Sequence, residues 1–581
     1  MTHAYFRHRE QALGQQPADV LLTNCRLVNV LSGRIEEKSA IAIAGEEIVG
    51  IGPHYQGREV IDCGGDYIYP GLIDAHIHLE SSKLTIPECA RAMVRHGTTA
   101  VITDPHEIAN VASIEGVSFQ LDTASDNERM SVFFTVPSCV PAIPDPNLET
   151  FASYMGPTKL RAFFNNPWFV VLGEMMNMPG AIYGDRKVLA KLADSRDRGL
   201  PIDGHAPMLS GRELNTYIYL GIRSDHESTS LAEAQEKIDR GMTIMIREGS
   251  TESNLRTLLP LVTGLNSARV VFASDDLDPI DLAERGHIDH ILRIAVAEGL
   301  HPIRALQMAT INVANTFRLN NIGAIYPGAK ADLVVAPDLE TFTPRSVMRH
   351  GRFVWRDGAE VPMGRKVDRF LRSTMNADLP AVEALRVAGS PGATLRVIGA
   401  VANQIITEEL HVPAVVSDGW VQAQPEADVA KIVVFERHRN SGGFGVAYIK
   451  GLGIRRGAIG SSVAHDSHNI VVAGVDDADI LRCAQRIRDL CGGQVACAGD
   501  AWAELPLPIA GLMSDQPFET VVAQEQALFR FCQEVNGTPL TRALSTLSFM
   551  ALPVIPTLRV TDKGLIRILP GAYPERVGLW V

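Results

Sequence analysis

Pro70-Gly71-Leu72-Ile73-Asp74-Ala75-His76-Ile77-His78-Leu79-Glu80-Ser81-Ser82 is an apolar strand that runs into two histidines one residue apart. Side chains alternate faces along a strand with period two, so His76 and His78 point one way and Ile77 the other. Two imidazoles on one face can reach one metal ion, and what decides the reading is whether further donors follow at suitable intervals. Asp74 shares that face; it is either an acceptor that orients a ligand or a buried structural carboxylate.

Seven more strand-like apolar runs follow, at 100–103, 132–136, 170–173, 201–204, 221–224, 242–246 and 270–273, with helical stretches between them. Together with 72–75 they make eight β units over about 250 residues, which predicts an α/β fold of the TIM type, a (β/α)8 barrel with its catalytic groups at the C-terminal strand ends. The strand ends bear this phase: His76/His78, Asp104/His106/Glu107, Ser138, Glu174, His205, Asp225/His226, Arg247/Glu248 and Asp275/Asp276 each follow a run.

Short β-branched runs broken by glycine precede the barrel, and the same texture returns at 331–336 and 352–355. Residues 1–69 with about 325–368 are therefore expected to pair into one small flanking β-domain around a catalytic barrel at 70–324. From 369 to 581 a helix-like stretch at 380–387 and then glycine-rich strand alternation suggest a separate C-terminal α+β domain.

With 581 residues, 46% of them apolar and 21% charged, the chain is of the globular class and long enough for two or three domains. There is no run of about 18 apolar residues, and residues 1–14 have no apolar signal core, so no membrane partner and a cytoplasmic enzyme are expected. A net charge of −13 argues against nucleic acid and for a small neutral or cationic ligand. The eight cysteines form no Cys-x-x-Cys pair and read as reduced, buried thiols.

The strand ends gather four imidazoles and two carboxylates: His76, His78, Glu174, His205, His226 and Asp275. Such nitrogen and oxygen donors suit manganese, iron or zinc. Six ligands exceed the three that one open catalytic ion usually keeps, so a bridging Glu174 would let two ions share them.

The order His-x-His, carboxylate, His, His, Asp resembles the amidohydrolase superfamily. The strings 73–82, Asp104-Pro105-His106-Glu107-Ile108-Ala109-Asn110, Leu172-Gly173-Glu174-Met175-Met176-Asn177, Asp203-Gly204-His205-Ala206-Pro207, Ser224-Asp225-His226-Glu227 and Arg247-Glu248-Gly249-Ser250 are similar to the bacterial adenine deaminase family, over the whole chain. Many amidohydrolases have a carboxylated lysine on strand four; this chain has Glu174 there, as that family does. The resemblance implies two divalent ions, manganese or iron most often, a purine base as the small-molecule partner, and deamination of adenine to hypoxanthine.

Paired divalent ions lower the pKa of bound water from about 16 towards 7. Asp275, beside the metals, is the expected proton shuttle; Asp276 is expected to be structural. A further acid is needed for the leaving amine, and Glu107, Glu227 and Glu248 all follow strand ends. His106 could bind substrate or a third ion, and Arg247 could donate to purine nitrogens or pair with a carboxylate. A second histidine pair, His465 and His468, belongs either to a loop that closes over the barrel mouth or to a purely structural one. A cyclic amidohydrolase and a non-catalytic purine- or metal-binding relative are the alternatives; a cytidine-deaminase site would need Pro-Cys-x-x-Cys, which is absent. A homo-oligomer is expected.

Overall fold

The computed structural model describes residues 6–363, 371, 373–401, 406–569 and 573–581. Eight parallel strands form the barrel: β1 (Leu72–Ile77), β2 (Thr98–Thr103), β3 (Ser131–Val136), β4 (Phe169–Met175), β5 (Ile202–Gly204), β6 (Ser224–Asp225), β7 (Thr243–Arg247) and β8 (Val270–Ala273). Strands β1 to β5 make one continuous ladder and β6 to β8 another. The first seam is crossed by Arg223 N–H donating to Ile202 O (3.0 Å), the second by Asp275 N–H to His76 O (2.9 Å) and His78 N–H to Asp275 O (3.3 Å). Every residue of β1, β2 and β7 is buried, as strands covered on both faces must be.

Helices Ile86–Val94, His106–Ser125, Arg186–Asp197, Gly211–Tyr219, Leu231–Asp239, Ile288–Ala297 and Ile311–Phe317 lie between or after the strands. The sixth strand forms at Ser224–Asp225, later than the sequence suggests. Gly221, at φ 108°, makes the turn out of helix Gly211–Tyr219, with its N–H on Ile218 O. The helix-like stretch at 380–387 contains only a 3-10 turn, Val382–Leu385. Leu385 alone is buried there, too little apolar surface to seat a longer helix.

A nine-stranded sheet flanks the barrel. Five strands come from before it, between Ala18 and Pro70, and four from after it, between Leu333 and Glu360. The two groups join where Leu333–Ala336 runs antiparallel to Tyr67–Pro70, with Val334 opposite Tyr69. The chain then passes straight into β1. Gly71 allows this close passage, since a Cβ there would meet Thr99 Oγ1 at 2.0 Å. The expected boundary at 368/369 lies outside the described residues.

Further on, an eight-stranded sheet is covered on one face by helix Asp477–Asp489, whose Ile480, Cys483, Ala484 and Ile487 pack on Val433, Val472 and Val495. This part of the chain is bonded to the barrel's C-terminal loops. Lys83 sits between Asp278 (2.6 Å) and Glu525 (2.8 Å), Arg542 lies 2.7 Å from Asp281, and Asn469 Nδ2 donates to Thr150 O (2.8 Å). The loop between strands Ala458–Ser461 and Ile470–Gly474 thereby reaches the barrel mouth. All eight cysteines are free, and seven are buried. Among the described residues no helix is long and apolar enough to cross a membrane.

Candidate metal centre

The six strand-end groups converge. His76 Nε2 and His78 Nε2 are 3.2 Å apart, and Asp275 Oδ1 lies 3.3 Å from His78 and 3.9 Å from His76. Glu174 Oε1 is 3.5 Å from His78 Nε2, whereas its Oε2 is 2.7 Å from His205 Nδ1 and 3.1 Å from His226 Nε2. One carboxylate thus faces two donor groups, an oxygen to each. The His76 ring stacks on His226 with centroids 4.2 Å apart. The His205 side chain is 27% exposed while the other five are at most 8%, so the open side of the centre is at His205.

The donor set fits a divalent metal. His76 Nδ1 lies 3.1 Å from Asp203 Oδ2 and His78 Nδ1 3.1 Å from the Asp104 carbonyl oxygen. Both partners accept, so the tautomer with its proton on Nδ1 is the one that turns a lone pair on Nε2 towards the centre. Two lone pairs then face each other beside two carboxylates, an arrangement that a cation satisfies. Asp275 adopts φ 60°, which bends the chain end of β8 back towards β1.

Asp203 is a residue that sequence reasoning passed over. Its signal is the spacing: it precedes His205 by two, as Asp74 precedes His76. Asp74 takes the structural option. Its Oδ1 accepts the N–H groups of His76 and Ser274, its Oδ2 accepts the Ser274 hydroxyl (2.5 Å) and lies 2.9 Å from His287 Nε2, tying β1 to the end of β8.

Burial alone would raise the Glu174 carboxyl, but the His205 and His226 rings against it hold it well below the usual carboxylate range. For Asp275 the burial cost is likewise outweighed, by the His78 hydrogen bond and the Arg247 charge. Arg247 Nη2 donates to Glu227 Oε2 at 3.0 Å, Nη1 donates to the other Glu227 oxygen, and Nη1 also reaches Asp275 Oδ2 at 2.7 Å. Of its two expected roles the structure shows the ion pair. Glu227 lies 3.7 Å from both His205 Nδ1 and His226 Nε2.

Glu248 is not brought to the cluster. Arg247 turns inward, so its neighbour turns away, and Glu248 Oε2 accepts the Leu255 N–H at 3.1 Å. His106 is within the centre, its Nδ1 3.4 Å from both Glu174 Oε1 and Asp104 Oδ1 and its Nε2 3.4 Å from Glu107 Oε1. Asp276 accepts from the Ser81 hydroxyl. Glu107 Oε1 also lies 2.7 Å from His465 Nδ1, and its second oxygen is bonded by His468 Nε2.

Residues 67–354 match the amidohydrolase family and residues 404–569 the adenine deaminase C-terminal domain. The adenine deaminase of Desulfatibacillum aliphaticivorans is 42% identical over 559 residues, covering 96% of this chain and 97% of that protein. Adenine deaminase 2 of Carboxydothermus hydrogenoformans is 42% identical over 561 residues, with 96% and 97% covered. The adenine deaminase of Methanothrix thermoacetophila is 42% identical over 558 residues, with 96% of each covered. At this identity over almost the full length, the chain belongs to the adenine deaminase family of the amidohydrolases.

Proposed function

We propose that this chain hydrolyses the C6–amine bond of adenine, giving hypoxanthine and ammonia, with two divalent ions, manganese or iron, at the barrel mouth. The observation that carries this reading is Glu174, whose two oxygens face separate ligand pairs. His76, His78 and Asp275 would hold one ion, His205 and His226 the other, and Glu174 would span them. Bound ions would acidify a water molecule and so supply a nucleophile near neutral pH.

The chain's own residues do the rest. Asp275 is kept ionised by Arg247 and takes the proton released as the water oxygen adds to C6. Glu107, ionised at rest between His465 and His468 and coupled to the centre through His106, receives that proton from Asp275 by way of His106 and returns it to the departing amine. Of the three glutamates named from the sequence, Glu107 is the one neither paired with arginine nor turned away. The purine enters on the His205 side. The glutamate on β4 also separates this reading from the cyclic amidohydrolases, which usually rely on a lysine there.

The test is metal analysis of the purified protein combined with an ammonia-release screen over adenine, adenosine, guanine, cytosine and cyclic amides. Release from adenine with two metal equivalents per chain is expected. Activity on cyclic amides alone would overturn the reading. Glu174→Gln should lower bound metal well below that of the parent, and two equivalents retained would count against the bridge.

A further inference from the structure

Glu107 opens the barrel helix His106–Ser125, while His465 and His468 stand 358 and 361 residues further along. All three are buried, with at most 7% exposed. Both carboxylate oxygens are occupied: His465 Nδ1 lies 2.7 Å from Oε1 and His468 Nε2 bonds Oε2. A trio of two imidazoles and a carboxylate is also a plausible set of metal donors, and the tautomer of His468 decides between the two uses. Its Nδ1 accepts the backbone N–H of Ala464 at 3.1 Å, so that nitrogen is bare and the proton is on Nε2. A nitrogen that carries a proton donates to Glu107 and has no lone pair to give a metal. Burial also holds His468 down to about 4, which keeps the ring neutral. The His465 ring is fixed by stacking on Phe549, with centroids 4.5 Å apart and planes 15° from parallel.

We infer that His465 and His468 are positioning residues: the C-terminal part of the chain clamps the Glu107 carboxylate in one orientation beside His106 Nε2, and so completes the barrel's own site. This rests on the role given to Glu107 above. Released from the clamp, the side chain would sample other rotamers and spend less time in reach of the leaving amine.

The experiment uses the full-length, metal-loaded enzyme. His465→Ala and His468→Ala should each lower kcat by about 10- to 100-fold, the range seen when an orienting partner is lost, with metal content and KM little changed. His465→Asn places an amide nitrogen near the position of Nδ1, and His468→Gln one near Nε2; both should recover most of the loss. In a Glu107→Ala background the same alanine substitutions should cost little more, because the group they position is gone. Unchanged kcat, loss of a metal equivalent, or an equal penalty in both backgrounds would overturn the clamp. A parent enzyme that releases no ammonia from adenine would instead overturn the proposed reaction. In that case ¹⁵N NMR of the imidazoles still decides the clamp: His468 should show a bare Nδ1 and a protonated Nε2 that responds to Glu107→Ala, and a bare Nε2 would refute it.

Discussion

Two histidine pairs of nearly the same spacing, His76-x-His78 and His465-x-x-His468, end in opposite uses. Both pairs are buried and both lie against carboxylates. In the first, acceptors behind the rings hold protons on Nδ1, so the Nε2 lone pairs meet at the centre. In the second, a backbone N–H behind His468 strips Nδ1 of its proton and makes Nε2 a donor. The group behind the ring, rather than the histidine or its spacing, decides whether an imidazole binds a cation or a carboxylate.

The sharpest break of that contrast compares His78→Ala with His468→Ala. Loss of His78 should remove metal and lower kcat by about a thousandfold or more, since the bound ions supply several kcal/mol of transition-state stabilisation. Loss of His468 should leave the metal content untouched; metal analysis of the two variants reads the difference directly. Asp275→Asn separates ligation from proton transfer within the first pair's surroundings. It should keep most of the metal while kcat falls by about 10²- to 10⁴-fold, and near-normal turnover would remove the shuttle.

A smaller effect, on stability, comes from the pair that holds the two remaining histidines. Asp225, the last residue of β6 and next to His226, accepts Ala206 N–H at 2.9 Å through Oδ1 and lies 2.8 Å from Lys237 Nζ through Oδ2, with both side chains fully buried. Lys237→Met should lower stability in urea by about 3–5 kcal/mol, the cost of stranding a buried charge. Burial would raise the Asp225 carboxyl, but Lys237 brings it down to about 2. A carboxylate depressed in the folded state contributes stability at neutral pH that is lost as pH falls from about 4 towards 2. The parent should therefore keep this increment at pH 5 and lose it in that acid window, as denaturation at several pH values would show. The smallest change is expected of Glu248→Gln: kcat/KM should stay close to that of the parent, because its carboxylate caps the turn at Leu255. A large drop in steady-state activity would return Glu248 to the site.

Much of the barrel was legible because its signals are local. Period two puts His76 and His78 on one face, and the same rule separates Arg247 from Glu248 once one of them is known to face inward. The sixth strand was misplaced by a few residues because Gly221 belongs to both an apolar run and a helix exit. Arg247 illustrates what local reading leaves open: purine donor and ion-pair partner require the same residue type, and only the position of Glu227 reveals the ion pair.

The sequence by itself determined the barrel and the convergence of six His, Asp and Glu groups on its strand ends. These follow from short-range periodicity and from residue types whose chemistry is intrinsic. Only the tertiary structure decided that Glu248 turns away from the strand-end cluster, that Asp203 lies behind His76, and that His465 and His468 bond Glu107. Those choices depend on contacts between groups separated by as many as 361 residues, and on which atom lies behind each ring. No periodicity along the chain encodes such a contact, because it arises only when the C-terminal sheet packs against the mouth of the barrel.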